Sequence, residues 1–404
     1  MISHEDTAPQ AEEAIRAPRQ FPGYDGNWQR KELRPFLLRH FEKVSSDTDL
    51  RIYSSSREGL LPQDEYYGGN KLINAGEYGL VPANYFVYRH MSDDTTFKFN
   101  INNTGQSIAV SREYPVFKTD GVDPTFLRYL LNESYPFKQF AAMQRKGGTR
   151  TRLYFETLCS WHAPLPSLLE QERIGECLAS VDSLIETETD KLYMLKHHKQ
   201  GLMQQLFPAD GENLPLLRFQ EFSDQPDWVE HKVSDVASIA TGGKDTQNKS
   251  ENGKYPFFVR SQNVERIDSY SLDCEAVLTS GDGVGVGKNF HYIDGKFDFH
   301  QRVYCIHDFK PQISGKFFYY IFSRNFFPRV SAMSAKNSVD SVRMAMISEM
   351  PILIPSLVEQ ERVAAILSTV DDLIVAQDQK IQLLTEHKQG LLQELFPVLD
   401  EVQG

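Results

Sequence analysis

The chain has 404 residues, 40% hydrophobic and 24% charged, enough for two or three folded domains with cores of their own. Its net charge of −12 excludes a protein that coats nucleic acid regardless of sequence, since such proteins are basic overall, but leaves room for a sequence reader whose basic groups gather on one face. The four cysteines, Cys159, Cys177, Cys274 and Cys305, lack C-x-x-C or C-x-x-H spacing and imply neither a disulfide framework nor a zinc site.

Taken in chain order, residues 1–20 are polar, carry Glu5, Asp6, Glu12 and Glu13 without an apolar signal core, and are expected to be disordered. No run approaches 18 continuous apolar residues, so no membrane span is expected and the default location is the cytoplasm. Residues 21–165 form a first domain rich in Gly, Asn, aromatic and β-branched residues. Its short runs at 85–89 and 106–110 read as strands joined by turns, with no helical pattern. Aromatics reach 12% of the chain; most suit strands and cores, and some suit stacking on bases. Residues 166–208 read as one long helix: Ser167 follows a proline and precedes Glu170 by three, the capping-box spacing, and Pro208 stops it. Residues 209–354 form a second domain with strand-like runs at 256–259, 276–278 and 302–306. It opens as the first does, with Phe219, Phe222 and Trp228 in place of Phe21, Tyr24 and Trp28. Residues 355–397 are a second long helix, with Ser356 and Glu359 at its start, and 398–404 are a tail.

The two helices are copies. Residues 166–208 and 355–397 align without a gap at an offset of 189, with 23 of 43 positions identical. Apolar residues recur three and four apart as Leu178, Val181, Ile185, Leu192, Leu195, Leu202 and Leu206, then as Leu367, Val370, Ile374, Ile381, Leu384, Leu391 and Leu395, a seam of coiled-coil character. Helices of this length span about 58 Å. Antiparallel pairing would place a pseudo-twofold axis between them; the alternative packs each helix on its own domain. The expected fold class is therefore α+β: two mixed, strand-rich domains separated by two long antiparallel coiled-coil helices with pseudo-twofold symmetry.

No catalytic motif survives inspection. Amino-methyltransferases place Asn or Asp before Pro-Pro-aromatic, and no Pro-Pro occurs. The run from Gly281 to Asn289 has Asp282 where a phosphate loop needs Gly, and Asn289 where it needs Ser or Thr; it reads as a turn whose glycines could approach DNA. Asp227, Glu230 and Lys232 lie too close along the chain for a nuclease metal site and mark the opening of the second domain, with Trp228 in its core. His197, His198 and His387 fall on polar helix faces as solvated residues. No metal site is expected.

Residues able to reach bases or phosphates do cluster. Arg145, Lys146, Thr149, Arg150 and Arg152 precede the first long helix, and Lys336, Asn337, Ser338 and Arg343 hold the corresponding place before the second. Lys244, Gln247 and Asn248 form a polar loop; Arg260, Gln262 and Asn263 follow one strand, and His300, Gln301 and Arg302 begin another. Lys288 and Asn289 end the glycine-rich run. Arg112, Arg89 and His90 are further candidates in the first domain.

The phrases PSLLEQERI and PSLVEQERV at the helix starts, KQGLMQQLFP and KQGLLQELFP at their ends, and RFQEF followed by DWVEHKVSDVA carry a family resemblance. Over residues 21–397 the chain resembles the specificity (S) subunit of type I restriction–modification systems. The resemblance implies two target-recognition domains, each reading half of a bipartite double-stranded DNA site. The helices would serve as spacer and as docking surface for two methyltransferase (M) subunits. It implies adenine N6 methylation with S-adenosylmethionine held by those partners, and cleavage of unmodified DNA by motor–nuclease (R) subunits using ATP and Mg. The chain itself would be non-catalytic and hold no cofactor. The rival reading is a coiled-coil scaffold that binds proteins and shows no DNA specificity; the acidic charge favours it.

Overall fold

The computed structural model describes residues 15–24, 26–68, 76–145, 147, 149–333 and 341–397. It divides into two compact units, residues 1–189 with 380–404, and residues 190–379. The divisions fall inside the two long helices, Leu168–Leu206 and Leu357–Leu395, of 39 residues each. Each unit thus holds one strand-rich domain, the first half of the helix that follows it and the last half of the other helix.

In the first unit a five-stranded sheet runs Lys43–Val44, Tyr78–Val81, Ile108–Ser111, Ile52–Ser55, Leu60–Pro62, parallel only between Ile108–Ser111 and Ile52–Ser55. An antiparallel four-stranded sheet runs Leu37–His40, Val116–Thr119, Phe86–Tyr88, Phe99–Ile101. Its aromatic and β-branched residues fill the core: Phe86, Val87 and Tyr88 are all buried, and Phe86 stacks on Phe117 at 5.0 Å. The second unit is built on one six-stranded sheet, Ser238–Thr241, Val303–His307, Leu272–Ser280, Phe290–Phe299, Tyr255–Phe258, Glu265–Ile267.

The domains also contain helices, contrary to the sequence reading. Pro124–Asn132 and Tyr135–Met143 begin with ordinary start signals: Asp123 accepts from the Phe126 N–H at 2.7 Å, Ser134 caps the next helix, and a proline sits in each first turn. Gly315–Met333 is harder to read. Its run KFFYYIF buries Phe317, Phe318, Tyr320 and Phe322, and so dense an aromatic stretch shows no polar stripe to mark a helical period.

One anchoring set serves both units. The Trp28 indole donates to Glu170 Oε1 at 3.3 Å, and the Trp228 indole to Glu359 Oε1 at 3.1 Å. Gln171 accepts from the Asp123 backbone N–H, and Gln360 from that of Ser314. The Tyr129 hydroxyl donates to Asp182 at 2.5 Å, and that of Tyr320 to Asp371 at 2.8 Å. The opposite helix then adds a cation, Lys388 to Asp182 at 2.8 Å in the first unit and Lys199 to Asp371 at 2.6 Å in the second. In the first unit the helices run antiparallel, since Lys380 meets Glu188 while Lys388 meets Asp182. In the second, Lys199 meets Asp371 while Leu206 joins the core containing Val363 and Leu367. Leu178 and Leu367 are fully buried, Leu192 and Val370 nearly so, and Val181, Ile185, Leu195, Leu202, Ile374, Ile381, Leu384 and Leu391 are half-buried.

The 189-residue offset persists upstream of the helices, where the sequences no longer match: Phe155–Cys159 and His162–Leu165 recur as Met344–Ser348 and Pro351–Ile354. Two expectations need correction. The capping boxes form only by half, because Ser167 and Ser356 accept from the N–H of Glu170 and Glu359 while both carboxylates turn inward to an indole. Residues 15–20 are ordered: the Trp28 N–H donates to the Ile15 carbonyl, Ala17 is buried, and Arg19 pairs with Glu394 at 2.6 Å. Apolar Ile15 and Ala17 reach the core, which the acidic composition of residues 1–20 as a whole obscured. Residues 1–14 and 398–404 lie outside the described residues.

Candidate nucleic-acid interface

In the second domain, strand register brings separated loops together. Ser280 faces Val303, and Phe258 faces Phe299, so residues 260, 282 and 302 emerge side by side. Asp282, 15% exposed, takes Arg260 Nη1 on Oδ1 at 2.9 Å and Arg302 Nη1 on Oδ2 at 2.8 Å. Burial works to raise its pKa, but the two guanidinium groups outweigh it and hold the carboxyl below the usual carboxylate range. A cleft of about 360 Å³ opens beside it, lined by Thr241, Gly281, Gln301, Arg302 and Tyr304 among others. Ser341 bridges to Asp282, and the Tyr304 hydroxyl donates to the Val342 carbonyl, returning the chain to this edge.

The neighbouring candidates divide into outward and inward groups. Gln262, Asn263, Gln247, Asn248, Lys288 and Arg343 are exposed. Gln301 donates to Asp245 at 3.1 Å, its N–H bonds the Lys244 carbonyl, and Asn248 closes the turn by accepting from the Asp245 N–H. Asn289 and His300 are turned to partners within the domain. Asn289 Nδ2 donates to the Arg260 carbonyl at 3.0 Å and to Ser280 Oγ at 3.2 Å. Gly285 is required there, since a Cβ would collide with the Asn289 amide. His300, 3% exposed, accepts the Arg302 N–H on Nδ1 at 3.0 Å.

That bond needs an unprotonated Nδ1. Burial, then the Arg260 charge, push the His300 pKa below the ordinary imidazole value, with Asp245 and Asp282 pulling the other way. The folded state therefore binds fewer protons than the unfolded one, so the contribution of His300 is complete above the ordinary imidazole range and is lost as pH falls through it. The hydrogen-exchange protection factor of the Arg302 amide is expected to fall with pH in that window; a protection factor that stays flat would remove His300 from this role.

In the first domain, Arg150 pairs with Asp93 at 3.0 Å, and Arg152 lies exposed on Thr151–Arg152, which pairs with Met91–Ser92. Arg145 and Thr149 are exposed on the same connection. A cleft of about 420 Å³ beside it is lined by Arg57, Tyr66, Tyr67, Arg89, Asp93 and Lys98 among others. Tyr66 and Tyr67 meet edge-on at 4.9 Å and are 43% and 39% exposed, which suits aromatic stacking on a base. Arg112 forms an exposed pair with Glu113 at 3.1 Å in a turn. Lys146, Lys336, Asn337 and Ser338 lie outside the described residues. The tyrosine pair was missed by the sequence reading, although YY before GG was a legible signal of aromatics at a turn.

Residues 225–386 match the family described as Type I restriction modification DNA specificity domain. The Type I restriction enzyme EcoDI specificity subunit of Escherichia coli is 26% identical over 170 residues, 41% of this chain and 37% of that protein. The Type I restriction enzyme MjaVIII specificity subunit of Methanocaldococcus jannaschii is 32% identical over 91 residues, 22% of this chain and 21% of that protein. The match thus spans well under half the length of either curated relative. In fold, the S subunit from M. genitalium covers 96% of this chain and 100% of its own with a TM-score of 0.66, at 12% identity. Residues 225–386 thus match a type I specificity domain, and the chain as a whole shares the fold of that S subunit.

The long helices keep apolar residues exposed away from the seam at matching places. Leu169 and Val358 are 66% and 65% exposed, Met194 and Leu383 each 65%, and Leu184 and Leu373 41% and 51%. Among the described residues no group of three or more His, Cys, Asp or Glu could hold a metal ion. No described helix is long and apolar enough to cross a membrane.

Proposed function

We propose that this chain is a specificity subunit that reads a bipartite site on double-stranded DNA, one half with each strand-rich domain, with helix length setting the number of unread base pairs. The observation that carries the reading is the duplication of the anchoring set around two domains that otherwise diverge. The Trp–Glu, Gln, Tyr–Asp and Lys contacts are the same in both units, while the loops each domain presents differ. Constant seats under variable readers are what separate recognition of two unlike half-sites requires.

The exposed apolar residues at matching helix positions support docking of two methyltransferase subunits, since apolar groups on a helix face mark partner surfaces. Adenine methylation would then be carried out in those partners with S-adenosylmethionine, and ATP- and Mg-dependent cleavage in motor–nuclease subunits, in a cytoplasmic complex in which this chain is not itself the enzyme. One structural relative, with a TM-score of 0.52 at 16% identity, comes from work on complex assembly and conformational transition of the type I R-M system.

The test is adenine-methylation mapping in cells carrying the whole system, before and after residues 214–354 are exchanged for those of another family member. One half-site is expected to change while the other half and the spacer stay as they were. A motif altered in both halves, or no sequence-dependent modification at all, would favour the protein-binding scaffold.

A further inference from the structure

We propose that Asp282 is a positioning residue that presents Arg260 and Arg302 as paired guanidinium forks, and that this pair reads guanine in the half-site of the second domain. The proposal rests on the DNA-reading function above and names part of what one domain recognises.

Asp282 is largely buried and spends both oxygens, one on each arginine. The arginines themselves are 46% and 62% exposed. Among the described residues neither guanidinium has a second hydrogen-bond partner, so most of the five N–H donors of each face solvent. Two cations on one anion leave a local positive charge on an acidic protein, attractive to DNA. The planar fork of arginine matches O6 and N7 of guanine in the major groove, which no other base pair displays together.

Both arginines are also held through their main chains. Asn289 fixes the Arg260 carbonyl, His300 accepts the Arg302 N–H, and the Gly281 N–H donates to the Arg302 carbonyl at 2.8 Å. Holding long side chains in place before binding removes the ordering cost that weakens contacts from free surface arginines. A solvated ion pair on a loop has no need of such support. This arrangement comes from three loops that meet only through strand register.

A phosphate contact is the competing use of an exposed arginine, and lysine separates the two, because phosphate accepts any cation whereas the guanine fork needs a guanidinium. Arg260→Lys, Arg302→Lys and Asp282→Asn would be introduced into the full chain and expressed with the whole system, and methylated adenines mapped. The half-site that changes when residues 214–354 are exchanged is expected to contain a required G·C pair. Each lysine variant is expected to lower preference at such a position by roughly ten- to a hundred-fold, with the other half-site as in the parent. Asp282→Asn is expected to relax the same position, which a purely structural aspartate would not do. Unchanged base preference in both lysine variants, or a half-site without a G·C pair, would overturn the guanine assignment; unchanged preference in Asp282→Asn would overturn the positioning role. Failure of the underlying DNA reading looks different, because the parent would then show no sequence-dependent modification, or the exchange of residues 214–354 would not change one half-site alone, before any arginine is altered.

Discussion

Glu359→Gln is expected to cost the second unit about 3 kcal/mol, whereas Glu170→Gln in the first unit is expected to be neutral or stabilising. The two glutamates occupy the same place and hold the same indole, but their cations differ. Glu359, 1% exposed, is paired with both arms of Arg218, Nε at 2.9 Å and Nη2 at 2.8 Å, and Arg218 is itself only 12% exposed. Removing the charge takes away the carboxylate paired with a largely buried guanidinium, and the figure sits at the low end for such a break because the amide keeps one acceptor, the Gln225 and Pro226 carbonyls still accept from Arg218, and Asp227 still acts on it. In the first unit Gln20 stands where Arg218 stands in the second: each precedes a phenylalanine under a helix arginine, Phe21 under Arg173 at 5.6 Å and Phe219 under Arg362 at 5.5 Å. Among the described residues no cation pairs with Glu170; burial raises its pKa, and hydrogen bonds from Trp28 and Gln20 offset this only in part. The folded state therefore holds the Glu170 proton more tightly than the unfolded state, so stability is greater at low pH and is lost as pH rises through the range above the ordinary carboxylate value. Glu170→Gln should abolish that dependence, and Gln20→Arg should supply the missing partner and raise stability at neutral pH. Hydrogen exchange resolved by unit, in the full chain at about pH 5 and about pH 8, reads all three. Equal losses from Glu170→Gln and Glu359→Gln would show that the missing arginine is immaterial.

What the sequence made legible follows from what each feature depends on. The long helices were readable because their signal is local and occurs twice, down to the seam from Leu178 to Leu391. That Glu170 and Glu359 face an indole was not, because capping-box spacing and a buried anchor use the same residue type three places after a serine. The loop candidates of the second domain could be picked one by one as donors. Asp282 escaped because a search for basic and amide groups passes over an acid, and its role exists only once Ser280 faces Val303 and Phe258 faces Phe299. The alternating pattern of a strand marks which face is buried, but not which strand tens of residues away becomes its partner. The helix Gly315–Met333 was hidden by its own burial.

Phe396→Ala is expected to destabilise the first unit, and Phe207→Ala the second, each by about 3–5 kcal/mol, the usual cost of emptying a buried phenylalanine site. Phe396 is 2% exposed and packs on Trp28 at 6.2 Å and Phe126 at 5.6 Å. Phe207 is fully buried against Trp228 at 6.1 Å and Phe317 at 5.5 Å. Each ends one long helix, in the shared phrase that closes with Leu-Phe-Pro, and each completes a core whose tryptophan belongs to the domain the opposite helix follows. A lesion near the end of the chain should therefore raise amide exchange around Trp28 and spare Trp228, while the lesion at Phe207 should do the reverse. Exchange confined to the domain that each altered helix directly follows would mean that the helix ends are not seated as described. The same seats explain why the helix sequence is held constant beneath two domains that diverge. A helix end able to fill the space beside Trp28 is chemically the one that fills the space beside Trp228, so a strand-rich domain can be replaced without redesigning the surface on which it sits.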